Sequence, residues 1–143
     1  MDEAALPPQR AAQIAAAFAS ALDADDFSAA GRLVVEHCVY DTGNGLLEGR
    51  AAVLRSYAEA SAWARSKLDD VRYESEVERV DGAIATVRFT DYLVMAGGRF
   101  HRHRCRQELR IGPQGKIVRI VHREIPGERE ALQTFFEQCG IER

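Results

Sequence analysis

Three of the four histidines in this chain, His101, His103 and His122, stand in segments that alternate like β-strands and also carry carboxylates. A histidine beside a carboxylate can take up or release a proton near neutral pH, the requirement for general acid–base chemistry. In RFHRHRCRQELRI (99–111) one alternate set is Arg99, His101, His103, Cys105, Gln107, Leu109 and Ile111. The other holds Phe100, Arg102, Arg104, Arg106, Glu108 and Arg110, which apart from Phe100 suit a solvated or ion-paired face, so the histidine set points inward. Inward positions on the preceding segment are Ala85, Val87, Phe89, Asp91, Leu93 and Met95. On the last segment they are Val118, Ile120, His122 and Glu124, because Arg119 and Arg123 occupy the alternate places.

Turns then set which residues meet. A three-residue turn at Ala96-Gly97-Gly98 pairs Leu93 with His101 and Asp91 with His103. A turn centred on Pro113-Gln114 pairs Ile111 with Lys116, Cys105 with His122 and His103 with Glu124. Opposed side chains have Cβ atoms roughly 4.5–5.5 Å apart. The expectation is a concave cluster with His103 between Asp91 and Glu124, and His101 and His122 close by. Such a cluster can serve as an acid–base site, chelate a metal through His101-x-His103 and His122, or satisfy its own polar groups around a passive pocket.

The elements that must carry these residues fall in two halves. A helical pattern runs from Pro7 to Leu68, interrupted once, and a strand pattern from Val71 to Ile125. The first helix begins near Pro8 and stripes Ile14, Phe18 and Leu22. Asp25 or Asp26 caps a short second helix through Phe27, Leu33 and Val34, HCVYD (37–41) is a short strand, and Thr42-Gly43-Asn44-Gly45 a turn. A third helix spans about Gly49 to Leu68, with Leu54, Tyr57, Ala58, Ser61 and Leu68 on its buried face. Strands are expected at about 71–80, 83–95, 99–111 and 116–125, separated by Asp81-Gly82, Gly97-Gly98 and Gly112-Pro113-Gln114-Gly115, and a short helix at 128–139. Helices followed by an antiparallel meander make an α+β fold.

Composition bounds the function. At 143 residues the chain is one domain, 1–143, and can bury a core without disulfides. A net charge of -3 argues against a dedicated nucleic-acid binder. No stretch approaches the ~18 apolar residues of a membrane span. Cys38, Cys105 and Cys139 form no close motif, and Met1-Asp2-Glu3 is not a basic leader, so a cytoplasmic setting is expected. The glutamates 74, 76 and 78 alternate as the arginines 102, 104 and 106 do, which reads as cross-strand ion pairing or a dimer face. Cys105 reads as packing.

The segments ALDADDFSAAGRLV, VYDTGNGLLEGRAAVLRSY and GPQGKIVRIVHRE, in this order of elements, resemble the nuclear transport factor 2-like superfamily, which includes ketosteroid isomerases, scytalone dehydratase and SnoaL-like polyketide cyclases. The resemblance covers nearly the whole chain. It implies a cone, with a curved antiparallel or mixed sheet and three N-terminal helices enclosing a pocket, and a homodimer packed through the outer sheet face. Carried over from ketosteroid isomerase, the general base falls on Asp41, the oxyanion tyrosine on Phe18 and the second acid near Gln107. The base position survives and both oxyanion donors are altered, so steroid isomerisation itself is not expected. The superfamily usually uses no metal, so no metal or cofactor is expected either. The reading is therefore a small-molecule pocket protein, with acid–base lyase or isomerase chemistry (dehydratase- or cyclase-like) on a small, partly apolar carbonyl compound. The alternative is a non-catalytic ligand-binding or dimerisation module. His103 is expected to carry the proton, Asp91 and Glu124 to orient it, and Asp41 to act as a second base. His101, His122, Gln107, Tyr57, Phe18 and Phe89 are expected to hold the ligand.

Overall fold

The computed structural model describes residues 6–142; Met1-Asp2-Glu3 lies outside them. Helix α1 (Pro8–Asp23) opens with proline at its first position, where the missing N–H costs nothing. Its stripe of Ile14, Phe18 and Leu22 is buried as the spacing requires, with Phe18 at 0% exposure. Helix α2 (Phe27–Gly31) is capped by Asp26, whose side chain accepts from the Ala29 N–H at 3.0 Å. It ends earlier than expected, because Val34 already belongs to strand β1 (Val34–Asp41). The Thr42–Gly45 turn returns the chain into a short strand β2 (Leu46–Glu48), which the sequence reading lacked. Helix α3 (Arg50–Lys67) follows, starting at Gly49 with φ 97°, a conformation that favours glycine.

Four strands complete the sheet: β3 (Asp70–Asp81), β4 (Ile84–Met95), β5 (Arg99–Ile111) and β6 (Ile117–Glu124). Helix α4 (Glu128–Gln138) ends the fold. The order across the sheet is β2-β1-β6-β5-β4-β3, curved and unclosed, with β1 and β6 parallel and every other pair antiparallel. This is the mixed α+β architecture expected. On the outer face Arg88 reaches Glu76 at 2.7 Å, and Arg106 reaches Glu78 at 2.6 Å, so these four charges form cross-strand ion pairs, while Arg104 turns to Glu128 instead, at 3.7 Å.

Two apolar clusters flank the inner face. One joins α1, α2 and α3 to the sheet through Ile14, Phe18, Ala30, Val53, Leu109 and Ile120. The other sets Phe135 and Phe136 of α4 on Leu68, Val71 and Leu93. Burying each large side chain fully contributes roughly 1.5–3 kcal/mol. No helix among the described residues is long and apolar enough to cross a membrane.

Register decides which side chains meet. β4 pairs β5 as the three-residue turn requires, with Leu93 opposite His101 and Asp91 opposite His103. β6 departs from expectation by two residues. Ile111 faces Ile117 rather than Lys116, and Val118 is an extra residue that shifts the ladder once more. Two single steps restore the face but move the partners, so Gln107 faces His122 and Cys105 faces Glu124. His103 therefore does not pair with Glu124.

Candidate active site

Between the two apolar clusters lies a cavity of about 710 Å³. Tyr40, Tyr57, Phe89, Asp91, His103, Gln107, His122 and Glu124 all line it. Helix α4 shares in the lining through Arg129, Leu132 and Phe136, so the enclosure is not the work of the N-terminal helices alone.

One polar chain crosses this cavity. Tyr57 Oη donates to Gln107 Oε1 at 2.6 Å, and Gln107 Nε2 donates to Tyr40 Oη at 2.9 Å. The same amide nitrogen donates to His122 Nδ1 at 3.4 Å, and His122 Nε2 donates to Glu124 Oε1 at 3.2 Å. An amide nitrogen can only donate, so His122 Nδ1 must accept, and the imidazole is the Nε2–H tautomer. Gln107, 4% exposed, thus uses both amide hydrogens and its oxygen. Tyr40 accepts from Gln107, and its hydroxyl is also in hydrogen-bonding contact with Tyr57. Burial, the largest influence, pushes the Tyr40 phenol up to about 12, so it remains a donor. Donors in series polarise one another, which strengthens the last O–H.

Asp91 stands apart from this chain. It forms no side-chain hydrogen bond or ion pair among the described residues. Burial and then the neighbouring charge of Asp23 push its carboxyl up to about 7. Asp23 is itself raised by burial, against a hydrogen bond from Ser75 Oγ at 2.5 Å. Asp25, at φ 56°, is the one described non-glycine residue with positive φ. Its carboxylate accepts from Ser61 Oγ and Arg65 Nε, both at 2.8 Å, and Tyr73 Oη donates to Ser61 Oγ at 3.0 Å.

Several expected site residues are placed differently. Asp41 is not at the cavity. It follows Tyr40, whose ring faces inward, so alternation turns Asp41 outward, where it accepts from the Gly43 N–H at 3.0 Å and lies 3.9 Å from Arg119. Phe18 lies in the core, edge-on to Tyr57 at 6.0 Å, and is not at the cavity surface. His101 also lies outside the lining, stacked on Phe135 at 5.1 Å, with its Nε2 buried and unpartnered. His103 does line the cavity, but its Nδ1 is unpartnered and burial lowers its proton affinity, so it is a neutral imidazole. Glu124 orients His122 and not His103. Among the described residues no group of three or more His, Cys, Asp or Glu side chains is placed to hold a metal.

Tyr40, Asp23 and Asp25 were missed in sequence. Tyr40 carries a signal, since it shares parity with Cys38 and Val34, both buried. The acids at the end of α1 carry none beyond their unfavourable place at a helix C-terminus.

No family model matches this sequence, and no curated protein matches it. Solved structures resemble it closely in shape. A candidate polyketide cyclase from Xanthomonas campestris pv. campestris superposes with a TM-score of 0.67 at 18% identity, over 92% of this chain and 98% of that one. An LEH-like epoxide hydrolase from M. tuberculosis gives 0.66 at 17% identity, over 92% of each chain. A nuclear transport factor 2-like protein of unknown function from Burkholderia pseudomallei gives 0.66 at 12% identity, over 87% of this chain and 95% of that one. The chain has the nuclear transport factor 2-like fold.

Proposed function

We propose that the cavity binds a small, partly apolar carbonyl compound and moves a proton on it, as a lyase or isomerase of the dehydratase or cyclase type does. The observation that carries this is Asp91: a carboxyl without a hydrogen-bond partner, inside the cavity, with its proton held at about 7. A base is most effective when its proton affinity lies near working pH. Tyr40 supplies the complementary group, a neutral O–H to meet the carbonyl oxygen as negative charge develops there. The Tyr57–Gln107–Tyr40 chain fixes that hydroxyl, and Glu124 fixes His122 behind it. In this scheme Asp91 removes a proton from the carbon beside the carbonyl and returns it elsewhere, or assists loss of a leaving group. Asp91 thus takes the role that His103 held in the sequence reading. Two solved neighbours are described as a candidate polyketide cyclase and an epoxide hydrolase, which supports enzymatic use of this fold.

The experiment is α-proton exchange in D2O, followed by NMR, over a panel of small cyclic ketones. Exchange should be catalysed and fall about 100-fold in Asp91→Asn and about 10-fold or more in Tyr40→Phe. Ketones that bind without exchanging would replace this reading by passive ligand binding.

A further inference from the structure

The cavity carries unmatched negative charge. Asp23, Asp25, Asp91 and Glu124 line it, against Arg129 as the single lysine or arginine among the described lining residues. Arg129 is 3.9 Å from Glu124, and Arg65 holds Asp25 at 2.8 Å. Asp23 and Asp91 remain, and neither forms an ion pair among the described residues. Asp23 closes α1, whose last-turn carbonyls add partial negative charge, and no basic residue stands in that turn to offset them. Asp91 is largely buried, has no partner, and faces the same space. Placing an anion there would bring like charges together in a medium that screens them poorly. A cation would relieve the repulsion between the two carboxylates. The remaining walls suit one as well, because Tyr57, Trp63, Tyr73, Phe89 and Phe136 line the cavity and aromatic faces attract cations.

We infer that the cavity takes an apolar or aromatic ligand bearing a protonated amine, seated between Asp23 and Asp91, and discriminates against carboxylates and phosphates. This rests on the reading of the cavity as a small-molecule site and deepens it: the carbonyl compound is an amino carbonyl compound. An ammonium in that seat also holds Asp91 ionised, the form that removes a proton.

Trp63 is the only tryptophan of the chain and lines the cavity, so its emission reports occupancy directly. The test titrates three probes of one shape: 2-naphthylmethylamine, protonated at neutral pH, 2-naphthalenemethanol and 2-naphthoate, with calorimetry as a second readout. The amine should bind about tenfold or more tightly than the alcohol, and the naphthoate most weakly. Asp23→Asn and Asp91→Asn, both close in shape to the native side chain, should each reduce the amine's advantage while leaving the alcohol within about twofold. Equal binding of amine and alcohol, a preference for naphthoate, or an amine advantage that survives both substitutions overturns the inference and leaves the small-molecule site standing. If none of the three probes binds, both fall together.

Discussion

Tyr40 and Tyr57 stack with their ring planes 8° apart and centroids at 5.3 Å, and both hydroxyls meet on the single amide of Gln107. One side chain from the middle of the sheet therefore holds a strand residue and a helix residue at the same depth in the cavity. The stack supplies apolar contact, and the amide gives it a direction, because Tyr57 donates to Gln107 and Gln107 donates to Tyr40.

That arrangement makes Gln107 a stability residue as well as a site residue. Gln107→Leu strips a hydrogen bond from Tyr57, Tyr40 and His122 at once. It should cost about 2 kcal/mol or more in urea denaturation, because buried polar groups are left unpaired. Tyr40→Phe removes only one acceptor and should cost about 0.5–1.5 kcal/mol. Equal, small losses for both would mean that the chain of bonds does not form in solution.

Asp91 predicts a pH profile. Its folded value is about 7 against an ordinary 3.8, so between these the native state keeps a proton that the unfolded chain has released. The groups that face it are Asp23 from α1, Tyr73 from β3, and His103 and Cys105 from β5. Stability should fall as pH rises from about 4 to about 7 and then level off. Asp91→Asn should remove that slope and stabilise the protein at pH 7.5 by on the order of 4 kcal/mol. Parallel profiles for the two proteins would show that Asp91 ionises like an exposed acid.

Phe18 offers a separation of packing from binding. It is fully buried under Tyr57, so Phe18→Ala should lower stability by about 3–5 kcal/mol. The milder Phe18→Leu should stay folded and bind the naphthalene alcohol within about threefold of the parent, since the ring does not touch the cavity. A large loss of affinity in a stable Phe18→Leu protein would return Phe18 to the site.

Cysteine chemistry should follow burial and not cavity position. Burial, with the nearby carboxylates, pushes the Cys105 thiol up to about 12, and burial pushes Cys38 up to about 11. Iodoacetamide at pH 8, read by peptide mass spectrometry, should modify Cys139 first; Cys38 is buried, and Cys105, although as partly exposed as Cys139, is held as the unreactive thiol. Early labelling of Cys105 would mean that its thiol is not held up by burial and the nearby carboxylates.

Much of this was legible from the chain, and the reasons differ by element. The β4–β5 register followed directly from a three-residue turn and from alternation on both sides, so Asp91 and His103 were paired correctly. The β5–β6 register failed on two steps, a turn one residue longer than one centred on Pro113-Gln114, and a bulge, which is one residue without a turn signal of its own. The trace it left was Ile117 and Ile120, both at 0% exposure and three apart, where strict alternation allows only even spacing. Asp41 went astray for another reason. Its role was carried over from a resemblance, while the alternation of Val34, Cys38 and Tyr40 already turned it outward. The acids at the α1 end depend on how a helix terminus meets β4, a contact between distant parts of the chain that spacing does not encode.

The extra residue at Val118 has a consequence for how this chain can change over time. Most hairpin loops tolerate gain or loss of a residue, since only the loop moves. Here the longer turn and the bulge are two odd steps that cancel, and His122 and Glu124 face inward only because both are present. A single insertion or deletion between Gly112 and Val118 would exchange the two faces of β6, sending His122 outward and Arg123 into the cavity. Length in this hairpin can therefore drift only in compensated pairs, which makes its residue count as much a part of the site as the side chains it aims.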